Sequence, residues 1–328
     1  MKRFVKQFRR VVEGGSTRCG RLRAIAAFAV GAAALFLSGC AGRAEHHEAG
    51  EAPLSVAATI PPLEFFARAI GGDSVAVTTL LKPGSDPETF EPGVGAMRAL
   101  GSSEIMLSTG LMPFEQNLAR KNASRGDSPR LVDVAEGIDL IYGTHGHDEG
   151  HEHGHGEAPE AHDGLYADPH IWSSVANARI MAENTLRAFC SADTARTPYY
   201  TANYRALMSR LDTLEAAWTA RLAPLHGRSF AIRHPSLSYF ARDFGMRQLP
   251  VTDGQKESSA GGRAKVLAGI RGAAPLVYFV EQGSDRARTA MTADALGLTP
   301  VEINPMSADW ETEMARTVGA LAGAAPAR

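Results

Sequence analysis

Three short loops in this chain each set one metal-capable side chain beside a proline: Asp86-Pro87-Glu88-Thr89-Phe90-Glu91-Pro92, Asp168-Pro169-His170-Ile171-Trp172 and Arg233-His234-Pro235-Ser236. One carboxylate and two imidazoles are a donor set suited to Zn2+ or Mn2+. A second kind of chemistry lies just before the middle loop. There six histidines (His145, His147, His151, His153, His155 and His162) alternate with Gly, Glu and Asp. That stretch is too polar and too glycine-rich to bury itself, and it reads as a low-affinity collector of borderline divalent metals. Imidazole suits Zn, Cu and Ni, whereas Mn2+ sits lowest in the affinity order, so the histidines favour zinc.

Composition narrows the alternatives. The first 39 residues carry eight basic side chains and one acidic one, then an apolar run over 24–36, then Leu37-Ser38-Gly39-Cys40. A basic start, a short apolar stretch and small residues before a cut describe a secretory signal. The run falls short of the roughly 20 apolar residues a bilayer span needs. The Leu-Ser-Gly-Cys ending resembles a bacterial lipobox, with Cys40 lipidated as the first mature residue and 40–51 a polar tether. This predicts an exported protein, lipid-anchored to a bacterial membrane. Without residues 1–39 the net charge moves from −2 to −9, which argues against nucleic acid as a partner and favours cations. Of the three cysteines only Cys190 then remains unmodified, so neither an intrachain disulfide nor a thiolate metal centre is available.

The elements that position the loops alternate. Strand-like runs at 54–60, 75–81, 105–108 and 131–134 are separated by helical patterns at 63–70, 93–100 and 111–121. After the histidine-rich interval a helix is expected over about 173–190. A longer one follows over 197–223, with Tyr200, Tyr204, Leu207, Leu211, Leu214, Trp218 and Leu222 at helical spacing and Pro198 in the tolerated first turn. At about 1.5 Å per residue it would span roughly 40 Å, a length suited to a strut along two lobes. Strands at 229–232, about 249, 276–280 and 300–303 then alternate with helices at 237–244, 264–270, 286–296 and 310–321. This predicts an α/β protein: two βα lobes with mainly parallel central sheets, bridged by one long helix, with the metal in the cleft between lobes. The expected boundaries are 1–39 signal, 40–51 tether, 52–193 first lobe (holding the His-rich loop 144–164), 194–225 linking helix and 226–328 second lobe.

Taken in order, these motifs resemble those of the solute-binding lipoproteins of zinc and manganese ABC transporters, the ZnuA-like and adhesin-like family. The resemblance runs from about 54 to 321. Its carriers are the stretch from Pro83 to Pro92, the acidic His-rich loop, Asp168-Pro169-His170-Ile171-Trp172, His234-Pro235-Ser236-Leu237-Ser238-Tyr239-Phe240-Ala241, Phe279-Val280-Glu281-Gln282 and Ile303-Asn304-Pro305-Met306. It implies a metal held between two lobes and delivery to an ABC permease with its ATPase. His170 and His234 match the family's histidine ligands. Glu88 stands where many relatives have histidine, and Asn304 where manganese-type relatives have aspartate. The expected ligands are Glu88, His170 and His234, completed by Asn304, Glu281 or water, with Glu91, Asp168 and Tyr239 as supports behind them. Zn2+ is the expected cargo, with Mn2+ the alternative, and the protein is expected to be a monomer without catalysis.

Two other functions fit parts of the pattern. A secreted zinc hydrolase would use a metal-bound water with Glu91 or Glu281 as base, but the sequence offers no helix carrying a His-Glu-x-x-His motif. A metal-buffering or adhesive surface lipoprotein would use the His-rich loop as its working part.

Overall fold

The computed structural model describes residues 52–82, 84–123, 129–143, 166–251 and 260–324, with side chains undescribed at 260 and 261. The signal, the tether with Cys40, and the six loop histidines lie outside the described residues. Among the described residues no helix is long and apolar enough to cross a membrane.

The first sheet is built from β1 (Leu54–Ala58), β2 (Val75–Thr79), β3 (Ile105–Ser108) and β4 (Arg130–Asp133), all parallel, in the order β2-β1-β3-β4. Leu54, Val56, Ala57 and Ala58 are buried, as are all four residues of β3; apolar runs covered on both faces are the mark of parallel strands. Helices α1 (Pro61–Gly71), α2 (Val94–Gly101) and α3 (Pro113–Ala123) connect them. Pro61 and Pro62, which terminate the first strand, also open α1, where a missing N–H costs nothing. Leu63, Phe66, Ala67 and Ile70 form its buried face.

The second sheet contains β7 (Ser229–Ile232), β8 (Arg247–Pro250), β9 (Tyr278–Glu281) and β10 (Pro300–Ile303), again all parallel, in the order β10-β9-β7-β8. Numbered from its own first strand, this is the same 2-1-3-4 order as the first sheet. Helices α6 (Ser238–Asp243), α7 (Ala260–Gly272), α8 (Arg286–Leu296) and α9 (Trp310–Gly323) accompany it. Between the sheets run α4 (Val175–Ala192) and the long α5 (Thr197–Leu222). The 26 residues of α5 span roughly 39 Å at 1.5 Å each. Tyr200, Leu207, Leu211, Trp218 and Leu222 form its buried seam, which packs against α1 and α4 on one side and α9 on the other. The expected strut is therefore present.

Tyr142–Gly143 (β5) pairs antiparallel with Tyr166–Ala167 (β6) at the two ends of the histidine-rich interval.

In an open α/β sheet the crevice at the carboxyl ends lies where the strand order reverses: between β1 and β3 in the first sheet, and between β7 and β9 in the second. In the first sheet that position is filled. The fully buried Glu115 of α3 accepts the hydroxyls of Thr59 and Thr109 and the amides of Thr109 and Met112. Burial raises its carboxyl above the usual value of 4.5, against the lowering pull of those hydrogen bonds. A carboxylate raised on folding binds its proton more tightly in the folded state, so stability is expected to fall as pH rises from the unfolded value through the raised one. Glu115→Gln is expected to flatten that decline, as read by urea unfolding across pH; an unchanged slope would remove Glu115 as its source.

Candidate metal centre

In the second sheet His234 stands at the equivalent position. The chain leaves β7 at Ile232 and turns at Arg233-His234-Pro235, with the Ser236 N–H donating to the His234 carbonyl at 2.7 Å. Glu281, the last residue of β9, lies beneath this turn. Its carboxylate accepts the backbone N–H of His234, and its Oε1 is 3.5 Å from the Ser236 hydroxyl. Burial raises the Glu281 carboxyl, opposed by hydrogen bonds from its own amide and that of His234 and by the charge of Arg233.

His170 reaches the same point from the segment between β6 and α4. It is buried, only 6 % exposed. Asp168 holds it twice: one carboxylate oxygen accepts the His170 backbone N–H at 2.9 Å and lies 2.7 Å from ring Nδ1. Burial alone would raise Asp168. The hydrogen bond and charge of the His170 ring, the Ser238 hydroxyl and the His170 amide outweigh it and hold the carboxyl below its usual value. With Nδ1–H donated to a carboxylate, a neutral His170 presents a bare lone pair on Nε2.

The two rings meet edge to face, 4.9 Å between centroids, with His234 Nε2 3.0 Å from His170 Nε2. Glu88 completes the group, its Oε1 3.5 Å from His234 Nε2. The Glu88 loop repeats the device seen at His170: Asp86, two residues earlier and followed by proline, accepts the Glu88 N–H at 2.9 Å. Phe90 packs edge-on against Phe114 of α3, centroids 5.1 Å apart, which fixes the loop to the first lobe.

Two ligands 2.0–2.1 Å from a tetrahedral zinc stand roughly 3.3 Å apart. The separations of 3.0 and 3.5 Å bracket that distance, so each of these two pairs is spaced as two ligands of one zinc-sized ion would be. Among the described residues no group of three or more His, Cys, Asp or Glu side chains stands arranged to hold a metal ion. The two Nε2 atoms sit closer than a shared ion would leave them, as a hydrogen-bonded pair does. With both rings neutral and Nδ1–H of His170 on Asp168, His234 Nε2–H donates to His170 Nε2.

The remaining candidates are placed differently. Asn304 donates its N–H to Glu313 at 2.6 Å and lines a polar cavity of about 200 Å3 with Gln282, Glu302 and Asp309; the walls of that cavity do not include Glu88, His170 or His234. Glu91 is exposed. Tyr239 is fully buried and lies behind Asp168: its hydroxyl donates to the Asp168 carbonyl at 2.8 Å and accepts the Ile141 N–H at 3.2 Å. Trp172, which stiffens the His170 motif, is joined by a support that the sequence did not reveal, Trp310. Trp172 Nε1 donates to the Pro305 carbonyl at 2.8 Å, and Trp310 Nε1 donates to the Trp172 carbonyl at 2.7 Å.

Asp168→Ala is expected to weaken zinc binding by about 10–100-fold, the usual cost of losing the carboxylate behind a metal-binding histidine. Asp168→Asn, which keeps an acceptor for Nδ1–H, is expected to lose less. Competition against a chromogenic chelator measures both, and equal affinity in all three proteins would remove Asp168 from the site.

A putative metal-binding protein of Treponema pallidum is 30 % identical over 201 residues, covering 61 % of this chain and 62 % of that protein. The zinc-binding lipoprotein AdcA of Streptococcus pneumoniae (strain ATCC BAA-255 / R6) is 24 % identical over 277 residues, covering 83 % of this chain and 53 % of AdcA. The chain thus spans between about half and three-fifths of the length of these curated relatives. A crystal structure of a ZnuA deletion mutant with zinc bound superposes with a TM-score of 0.71 at 28 % identity, covering 84 % of this chain and 99 % of that one. The family model described as zinc-uptake complex component A, periplasmic, matches residues 56–324. With that match extending from β1 to the end of α9, the chain belongs to the ZnuA family.

Proposed function

We propose that this protein is a zinc-capturing solute-binding lipoprotein, anchored through Cys40 outside the cytoplasmic membrane, which delivers Zn2+ to an ABC permease and its ATPase. The observation that carries this reading is the approach of His170 Nε2 and His234 Nε2 to 3.0 Å, with the Glu88 carboxylate 3.5 Å from His234 and Asp168 orienting His170 from behind. Those three side chains are the proposed ligands, and Asn304, Glu281 or water fills the fourth position. Two neutral imidazoles and one carboxylate leave a residual charge of +1 on a bound zinc, a cargo held without a thiolate and therefore without its tightest grip. Zinc in the AdcA and ZnuA relatives is consistent with the same cargo.

The experiment is metal stoichiometry and competitive affinity on full-length protein and on a variant lacking 145–162. The reading expects one tight zinc per chain in both, with Mn2+ a weak competitor. Loss of the tight site with the loop would make the protein a buffer. Mn2+ displacing Zn2+ at equal concentration would make it a manganese binder. Zinc-dependent peptidase or phosphatase turnover abolished by Glu91→Ala would make it a hydrolase.

A further inference from the structure

We infer that Trp172 is a positioning residue that makes the two imidazoles one preassembled unit for the metal. The inference rests on the metal-site reading above. His170 precedes α4, on the first-lobe side of the linking helix, yet the hydrogen bonds of its neighbours tie this turn to the second lobe. The Trp172 indole, 1 % exposed, stacks edge-on to the His170 ring with centroids 5.3 Å apart and donates to Pro305 just beyond β10. The Trp172 carbonyl is itself taken by the indole of Trp310 at the start of α9. The turn 170–173 is thus fixed by side chain and main chain alike. Further bonds run the same way: Ser174 donates to Asp243 of α6, Tyr239 donates to the Asp168 carbonyl, and Arg242 donates to the Asp139 carbonyl at 3.1 Å.

His170 and His234 therefore belong to one mechanical body. Glu88 lies on the loop after β2, whose packing through Phe90 and Phe114 is to the first lobe. Preorganised donors avoid the cost of ordering them at the moment of binding. Zinc then meets a fixed pair of nitrogens.

The test uses full-length protein with Zn2+ and Co2+ as probes. Trp172→Phe keeps the ring and removes the N–H. It is expected to speed zinc dissociation to a chelator by roughly tenfold, the lower end for losing a support behind a metal ligand, and to change the visible ligand-field band of bound Co2+. Trp310→Phe removes the other N–H of the same turn, should act in the same direction, and carries the test alone if Trp172→Phe does not fold. Phe189→Leu, at the far end of α4 from His170, controls for lost stability and should leave both readouts unchanged. The inference is overturned if the tryptophan variants match wild type in dissociation rate and Co2+ spectrum, or if Phe189→Leu moves them equally. If His170→Ala binds zinc as wild type does, the metal-site reading itself fails, and this inference with it.

Discussion

Replacing either imidazole, His170→Ala or His234→Ala, is expected to reduce zinc affinity by well over the 10–100-fold that a ligand's supporting partner costs, because a donor atom itself is lost. His234→Ala is the cleaner variant. Its side chain is 35 % exposed against 7 % for His170, so the fold loses little packing and the change in affinity reports the site. Zinc binding also stabilises the folded state, by about 2.7 kcal/mol when free metal is a hundred times the Kd. Wild type should therefore show a rise in melting temperature with zinc that both variants lack. Glu88→Ala should retain more affinity, since water can take the place of a single carboxylate oxygen. Unchanged affinity in His234→Ala would remove that residue from the ligand set.

Trp310→Ala is expected to be the most damaging substitution for stability. The ring is 2 % exposed and stacks against Phe65, Phe66 and Trp218, with centroids 5.5, 5.8 and 6.4 Å away. It joins α9 of the second lobe to α1 and to the long helix. Truncating a buried tryptophan to alanine costs roughly 3–5 kcal/mol, and the Trp172 carbonyl would lose its donor, adding about 1 kcal/mol or more. Trp310→Phe should lose only part of this. Urea unfolding measures the difference, and a loss below about 1 kcal/mol would show that the cluster repacks around the gap.

What could be read from the sequence follows the range over which each signal acts. Helix 286–296 and strand 300–303 appear at their predicted limits because the punctuation is local: Asp285 caps the N–H of Arg288, and Gly297 takes the left-handed conformation at the end. His170, His234 and Glu88 were legible because each sits in a proline-stiffened motif, and in two of them an aspartate two residues earlier makes the same backbone bond. The relation between the lobes was legible only as architecture. Both sheets adopt the order 2-1-3-4, although no repeat of residues announces it. Glu115 could not be picked out, since an acidic residue in the first turn of a helix is normally solvated. Its burial is decided by Thr59 and Thr109, 56 and 6 residues away. The tryptophan pair spans 138 residues and leaves no trace in any window of sequence. The two-residue strands β5 and β6 are too short to carry a period.

That short ladder has a consequence for how the family can vary. Tyr142 faces Ala167 and Gly143 faces Tyr166, so the chain departs and returns within one strand spacing, and Asp168 N–H closes the junction on the Ile141 carbonyl at 2.8 Å. A suture of this kind makes the framework indifferent to the length of whatever is spliced between its two sides, because closing a longer flexible loop costs only about 0.6 kcal/mol per doubling. Evolution is thereby free to lengthen, shorten or rewrite that insert while the imidazole two residues past the seam keeps its place.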